Sequence, residues 1–154
     1  MAERIKCGDM MPDYTLKDNR NKEFKISDYR GKKLLLSFHP LAFTSVCTLQ
    51  MKSLEDHKDE FKQLNTVVVG VSIDPVPAKN AWAKEMGVKD TPLLADNWPH
   101  GELARMLGLF REGEGFSERA NVVVDEKGKV IFVKVYDIPV VPDIQEILDF
   151  LKKA

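Results

Sequence analysis

The sequence predicts an α/β protein in which a central mixed β-sheet is flanked by helices. Three observations carry that expectation. Short apolar runs rich in β-branched residues recur along the chain, as buried strands require. Between them lie segments whose apolar residues repeat at helical spacing. Strand and helix also alternate, and such units lay their strands in one sheet with helices across its faces.

The elements follow in order. Lys33 to Phe38 is short and apolar and reads as a buried strand, ended by Pro40. A helix is predicted from about Ser45 to Leu64. Met51, Leu54, Phe61 and Leu64 share one face of it with Cys47, and Lys52, Glu55, Asp56, Lys58, Asp59 and Lys62 fill most of the other. Thr66 to Ser72 is a second buried strand. Pro75 and Pro77 open a helix near Ala78 to Met86, and Gly87 stops it. Pro92 to Ala95 reads as a short strand, and Glu102 to Leu107 as a short helix ending at Gly108. Phe110 to Glu118 is charged and glycine-containing and reads as a loop. Asn121 to Asp125 and Val130 to Val135 flank Glu126 to Lys129 as a hairpin. The last helix starts after Pro142, with Ile144, Ile147, Leu148 and Leu151 on one face. By analogy at the level of the fold alone, this order resembles the plan of a thioredoxin-like domain with insertions.

No repeat or linker divides the 154 residues, so a single domain over 1–154 is expected. Hydrophobic residues make up 44% and charged residues 31%, enough for a core without disulfides or metals. A net charge of −1 does not favour nucleic acid or an anionic membrane as a main partner. The two cysteines, Cys7 and Cys47, are too few for a disulfide scaffold. His39, His57 and His100 complete no zinc-type spacing, so no metal is expected. The N-terminus lacks the apolar run of a signal peptide, and no segment reaches the roughly 20 apolar residues of a membrane span. A cytoplasmic location, where thiols stay reduced, is expected.

The informative stretch runs from His39 to Gln50 and places Cys47 in the first turn of a helix that follows a buried strand. N–H groups at a helix start are unpaired, and with the macrodipole they favour an anion such as a thiolate. Helix N-termini and nearby cations lower cysteine pKa values from about 8.5 to roughly 3.5–7.5, and the thiolate is the nucleophile. Attack on an O–O bond also needs the leaving oxygen stabilised as it gains charge. Thr44, three residues before Cys47, offers a hydroxyl on nearly the same face, and equally reads as an N-cap. Pro40 shields the thiolate from water or simply ends the strand. Arg119, where a loop enters an apolar strand, is the candidate for a permanent cation.

Pro40, Thr44 and Cys47, spaced Pro-x-x-x-Thr-x-x-Cys, resemble the signature of the peroxiredoxins. Glu118 to Gly128 resembles that family's second block, whose arginine helps bind peroxide, and Met11 to Leu16 its N-terminal Pro-Asp-Phe-x-Leu run. The likeness covers roughly residues 6–150. Pro40 to Thr44 and Asp96 to Gly101 most resemble the bacterial AhpE-type, one-cysteine subgroup. The resemblance implies a thioredoxin-like fold with peroxiredoxin-type insertions. It also implies a thiol-dependent peroxidase that reduces hydrogen peroxide and organic hydroperoxides through a Cys47 sulfenic acid. Thr44, Arg119 and Pro40 would complete the catalytic site, with no cofactor. An external thiol, a thioredoxin- or glutaredoxin-like protein or a small thiol, would regenerate the enzyme. A homodimer or a ring of dimers, serving antioxidant defence and redox homeostasis, is implied too.

Further residues carry two readings each. Gln50 stands where many members have Glu and is expected to orient Arg119 more weakly. His39 touches the thiolate or packs beside it, and Trp98 lines the pocket rim, a dimer edge or the core. Cys7 is either a resolving cysteine or a thiol without a redox role at the start of the first strand. Two rival functions use the same thiol: a peroxide sensor that oxidises a partner, and a cysteine hydrolase with His39 as base.

Overall fold

Strands β3 (Lys33–Phe38) and β4 (Thr66–Ser72) lie parallel at the centre of a mixed sheet, with Leu34 to Phe38 opposite Val67 to Val71. This computed structural model describes residues 2–154. β5 (Leu93–Ala95) continues the parallel set beside β4. β8 (Arg119–Val124) runs antiparallel to β3 on its other side, and β9 (Val130–Tyr136) closes that edge. β1 (Thr15–Asp18) and β2 (Glu23–Lys25) extend the opposite edge, giving the order β2-β1-β5-β4-β3-β8-β9. The helices are α1 (Ser45–Asp56), α2 (Lys58–Gln63), α3 (Val76–Met86), α4 (Glu102–Met106) and α5 (Ile144–Lys153). Among the described residues, no helix is long and apolar enough to cross a membrane.

Side chains alternate along a strand, so residues two apart share a face. Leu34, Leu36 and Phe38 of β3, Val69 and Val71 of β4, and Val122 and Val124 of β8 build one core, closed by Leu103 and Ala104 of α4. Leu35, Leu93 and Val123 build the other, against Met51 and Leu54 of α1, Trp82 and Ala83 of α3, and Ile147, Leu148 and Leu151 of α5. By the same alternation Ser37, Arg119 and Asn121 turn toward α1 and α5. Polar side chains thus enter the second core from the sheet itself. Gly70 of β4 makes the close approach possible. A Cβ there would run into Met51 Sδ and meet His39 Cε1 at 3.3 Å.

The structure departs from the sequence expectation at several places. The helix expected over Ser45 to Leu64 breaks at His57, whose φ of −107° and ψ of 17° end α1 before α2 begins. There the His57 ring donates through Nδ1 to the Ser53 carbonyl, 2.8 Å away. The stretch expected as a loop, Phe110 to Glu118, pairs as a small hairpin of β6 (Phe110–Arg111) and β7 (Phe116–Ser117). β8 begins at Arg119, two residues earlier than expected. Cys7 lies exposed in a turn well before β1, not at the start of a strand. β1 and β2 bury little beyond Leu16 and Phe24, too short an alternation to read as strands.

Candidate active site

The end of β3 delivers the site. His39 continues the ladder to β4 through its N–H and the Val71 carbonyl, 3.0 Å apart, and Pro40 stops it. The chain then turns through Phe43, whose φ is +66°, into the extended Thr44 that precedes α1. Asp74 holds this turn, accepting the Ala42 N–H at 2.8 Å and the Ser72 hydroxyl at 2.5 Å. Cys47 is the third residue of α1, a free thiol with 0% exposure. Gln50, one turn on, shares its helix face.

Antiparallel pairing of Phe38 with Ala120 sets Arg119 beside the end of β3. The Arg119 Nη1 lies 3.2 Å from Cys47 Sγ and donates to Gln50 Oε1 at 2.7 Å. Its Nε donates to the Ile138 carbonyl at 2.8 Å, so the planar fork is fixed from both ends. Arg119 is only 2% exposed. A cation so held costs little reorganisation when negative charge develops beside it. Gln50 in turn donates to the Ser37 hydroxyl at 2.7 Å and the Phe38 carbonyl at 3.1 Å. Ser37 donates to Asn121 Oδ1 at 2.7 Å, and Tyr136 donates to Glu146 of α5 at 2.7 Å. Asn121 Nδ2 and the Tyr136 hydroxyl are 3.4 Å apart, which links the two halves. A polar chain therefore runs from the thiol through the second core to the C-terminal helix.

The end of β3 and helix α3 hold a second buried pair. His39 and Lys79 of α3 both have 0% exposure, with His39 Nε2 and Lys79 Nζ 3.0 Å apart. Burial pushes the Lys79 ammonium down to about 7, against attraction from Asp74, Cys47 and Asp96. Burial, then the Lys79 charge, holds the His39 pKa well below the ordinary histidine range; Arg119 adds to this, and a hydrogen bond to Ser37 opposes it.

The family model described as AhpC/TSA matches residues 7–133. The chain is a peroxiredoxin of that family. Alkyl hydroperoxide reductase E of Mycobacterium tuberculosis is 37% identical over 131 residues, covering 84% of this chain and 85% of the relative. Peroxiredoxin-2 of Mus musculus is 37% identical over 150 residues, covering 92% and 75%. Among solved structures, Enterococcus faecalis AhpC superposes with a TM-score of 0.88 at 25% identity, covering 96% of this peroxiredoxin and 90% of that chain. Reduced Plasmodium vivax 2-Cys peroxiredoxin gives 0.86 at 25% identity, covering 95% and 80%. These likenesses agree with the thioredoxin-like fold. Membership carries with it the activity of the family, thiol-dependent reduction of peroxides.

Within this peroxiredoxin the structure brings Cys47, Gln50 and Arg119 into one hydrogen-bonded cluster, and Pro40 is buried just past the end of β3. Thr44 occupies the N-cap position, yet its hydroxyl donates to the Leu41 carbonyl at 2.8 Å and caps no helix N–H. Gln50 does reach Arg119, accepting from its Nη1 at 2.7 Å. His39 turns to Lys79 through Nε2 and to the Ser37 carbonyl through Nδ1, so a hydrolase base on Cys47 finds no support. Trp98 is 82% exposed on the connection from β5 to α4. Ser37, Asp74, Lys79, Asn121 and the Ile138 carbonyl were not singled out from the sequence. Ser37 and Asn121 did leave a signal, a polar residue interrupting a buried apolar strand. Lys79 left one too, three residues from Trp82 on the buried face of α3.

Proposed function

We propose that Cys47 is the peroxidatic nucleophile and that Arg119, Thr44 and Pro40 form its site. The observation that carries this is Arg119 Nη1 at 3.2 Å from Cys47 Sγ, fixed on its far side by the Ile138 carbonyl. The thiolate attacks one peroxide oxygen, the S–O bond forms and the O–O bond breaks. Sulfur is oxidised to the sulfenic acid, and the leaving oxygen departs as alcohol or water once protonated. Arg119 stabilises charge on sulfur and on the leaving oxygen, Thr44 hydrogen-bonds the peroxide from the exposed side, and Pro40 keeps water off the thiol. Hydrogen peroxide and organic hydroperoxides are the substrates.

An external thiol, from a thioredoxin- or glutaredoxin-like protein or a small thiol, then forms a mixed disulfide with loss of water. A second thiol releases Cys47. The place of Cys7 supports this reading. The Gly8 N–H bonds the Val130 carbonyl, and Val130 pairs with Val124. Cys7 therefore neighbours one end of β8 while Cys47 neighbours Arg119 at the other, on the order of 17 Å along the strand. A disulfide needs Cα atoms within about 7 Å. The protein works in the cytoplasm as a homodimer or a ring of dimers.

Peroxide consumption with an added thiol reductant tests the assignment. Cys47→Ser abolishes it, and Cys7→Ser retains it. Turnover by Cys47→Ser equal to wild type would refute the site. A Cys7–Cys47 disulfide in mass spectra of peroxide-treated protein would refute the external thiol.

A further inference from the structure

The redox chemistry of Cys47 leaves two fully buried titratable groups without a role, His39 and Lys79. Burying a lysine is costly unless its charge is paired or lost. Among the described residues, no carboxylate lies within 4.0 Å of Lys79 Nζ. Its hydrogen-bond partner is His39 Nε2, 3.0 Å away. His39 Nδ1 faces the Ser37 carbonyl at 3.3 Å, and a carbonyl only accepts. The proton of a neutral His39 therefore sits on Nδ1, and Nε2 offers its lone pair to Lys79. Charging both groups would set two cations 3.0 Å apart in a dry interior. The contact holds at most one positive charge.

We propose that the Lys79–His39 pair compensates the charge of the Cys47 site, holding a proton on Lys79 while Cys47 is a thiolate and releasing it when the sulfur becomes a neutral sulfenic acid. The inference rests on the reading of Cys47 given above. Asp74, Cys47 and Asp96 are the negative groups that favour the Lys79 proton, while burial opposes it, and His39 and Arg119 are the basic groups alongside. Asp74 is already engaged by the Ala42 N–H and the Ser72 hydroxyl. Cys47 is the group of the three whose charge the reaction removes. The balance is complete: thiolate, peroxide and one proton give sulfenic acid and alcohol or water. The proton that Lys79 loses offsets the one that the leaving oxygen gains, so less is drawn from solvent. Reduction by the external thiol restores the thiolate, and Lys79 recharges. Lys79 touches no reacting atom and acts only through its charge.

Counting protons tests this. Thiol-reduced protein is oxidised with one equivalent of hydrogen peroxide near pH 7, in weak buffer with a pH indicator. Mass spectrometry gives the sulfenic acid formed. With Lys79 titrating at about 7, wild type takes up about a quarter of a proton less per oxidised Cys47 than Lys79→Met if its midpoint falls by about 0.5 pH, and about half a proton less if its charge is lost completely. Equal uptake by the two overturns the proposal. A second measurement needs no change at residue 79. With lysine labelled at Cε, the NMR titration midpoint of Lys79 lies lower by about 0.5 pH or more in oxidised protein, and in Cys47→Ser, than in reduced wild type. An unchanged midpoint overturns the inference alone. A wild type that consumes no peroxide overturns the reading of Cys47 as well.

Discussion

Replacing Glu55 by glutamine measures how firmly the helix of Cys47 is held at its far end. Glu55 lies in the last turn of α1 and is 8% exposed. Its carboxylate accepts the N–H groups of Lys89, Asp90 and Thr91 and the Thr91 hydroxyl, at 2.8–3.2 Å, and pairs with Lys58 at 3.2 Å. Burial alone would raise its pKa, but these donors outweigh burial and hold the carboxyl at about 2 against an ordinary 4.5. At 1.36 kcal/mol per pH unit, that difference is worth about 3 kcal/mol of stability at neutral pH. Glu55→Gln keeps the shape, removes the charge and turns an amide NH2 toward N–H donors. Urea unfolding at pH 7 should show a loss of about 3 kcal/mol, and the melting temperature should drop by roughly 6–12 °C. The sign with pH follows from the depressed pKa. The contribution is whole above the unfolded pKa of 4.5 and fades as pH falls through about 2. By pH 3 the gap between wild type and variant should shrink to about half. A gap under about 1 kcal/mol at pH 7, or one of equal size at pH 3, would refute the assignment of the clamp to the charge.

Other substitutions probe the site directly. Arg119→Lys cannot span Cys47, Gln50 and the Ile138 carbonyl together. Stopped-flow peroxide consumption should slow about 10²-fold or more, with circular dichroism unchanged. Gln50→Leu removes the oxygen that accepts from Arg119 Nη1 and the amide that donates to the Ser37 hydroxyl and the Phe38 carbonyl. It should cost about 1–3 kcal/mol in urea unfolding, and slow oxidation of Cys47, while Gln50→Glu keeps the acceptor and most of the rate. Gly70→Ala drives a methyl into Met51 beneath α1. It should cost about 1–3 kcal/mol and lower the rate without touching a reacting group, as parallel unfolding and rate assays would show. Thr44→Val loses the Leu41 contact and the exposed hydroxyl. A larger fall in peroxide rate than in stability is the expected result, and Thr44→Ser should restore it.

Legibility in the sequence followed the strength of the local pattern. β3, β4 and β8 are clear because each buries a run of β-branched or leucine residues, and β9 because its β-branched residues follow the turn signal after β8. α5 was clear because its apolar residues keep strict helical spacing. The break at His57 was hidden, since the apolar face of α1 continues across it into Phe61 of α2. The edge strands β1 and β2 were hidden because their pairing is backbone-driven and their side chains mostly face water. Cys47, Thr44 and Arg119 could be named because a helix start and a spacing mark them. The role of Gln50 as the near clamp on Arg119 depends on strand register, which brings residues 69 apart to 2.7 Å. Lys79 is marked only by its spacing from Trp82, and a lysine in a helix otherwise reads as solvated until the fold closes over it.

The polar chain through the second core sets where this protein can be cut. The segment matched by the family model stops at residue 133, and a fragment ending there would still contain Cys47, Thr44, Gln50 and Arg119. It would lack the Ile138 carbonyl that fixes the far side of the guanidinium, the Tyr136 hydroxyl beside Asn121, and Glu146 beyond it. Ile147, Leu148 and Leu151 would be gone as well, uncovering Leu35 and Val123. The unit that inheritance marks and the unit that holds the arginine still are of different lengths, and the last twenty or so residues belong to the second.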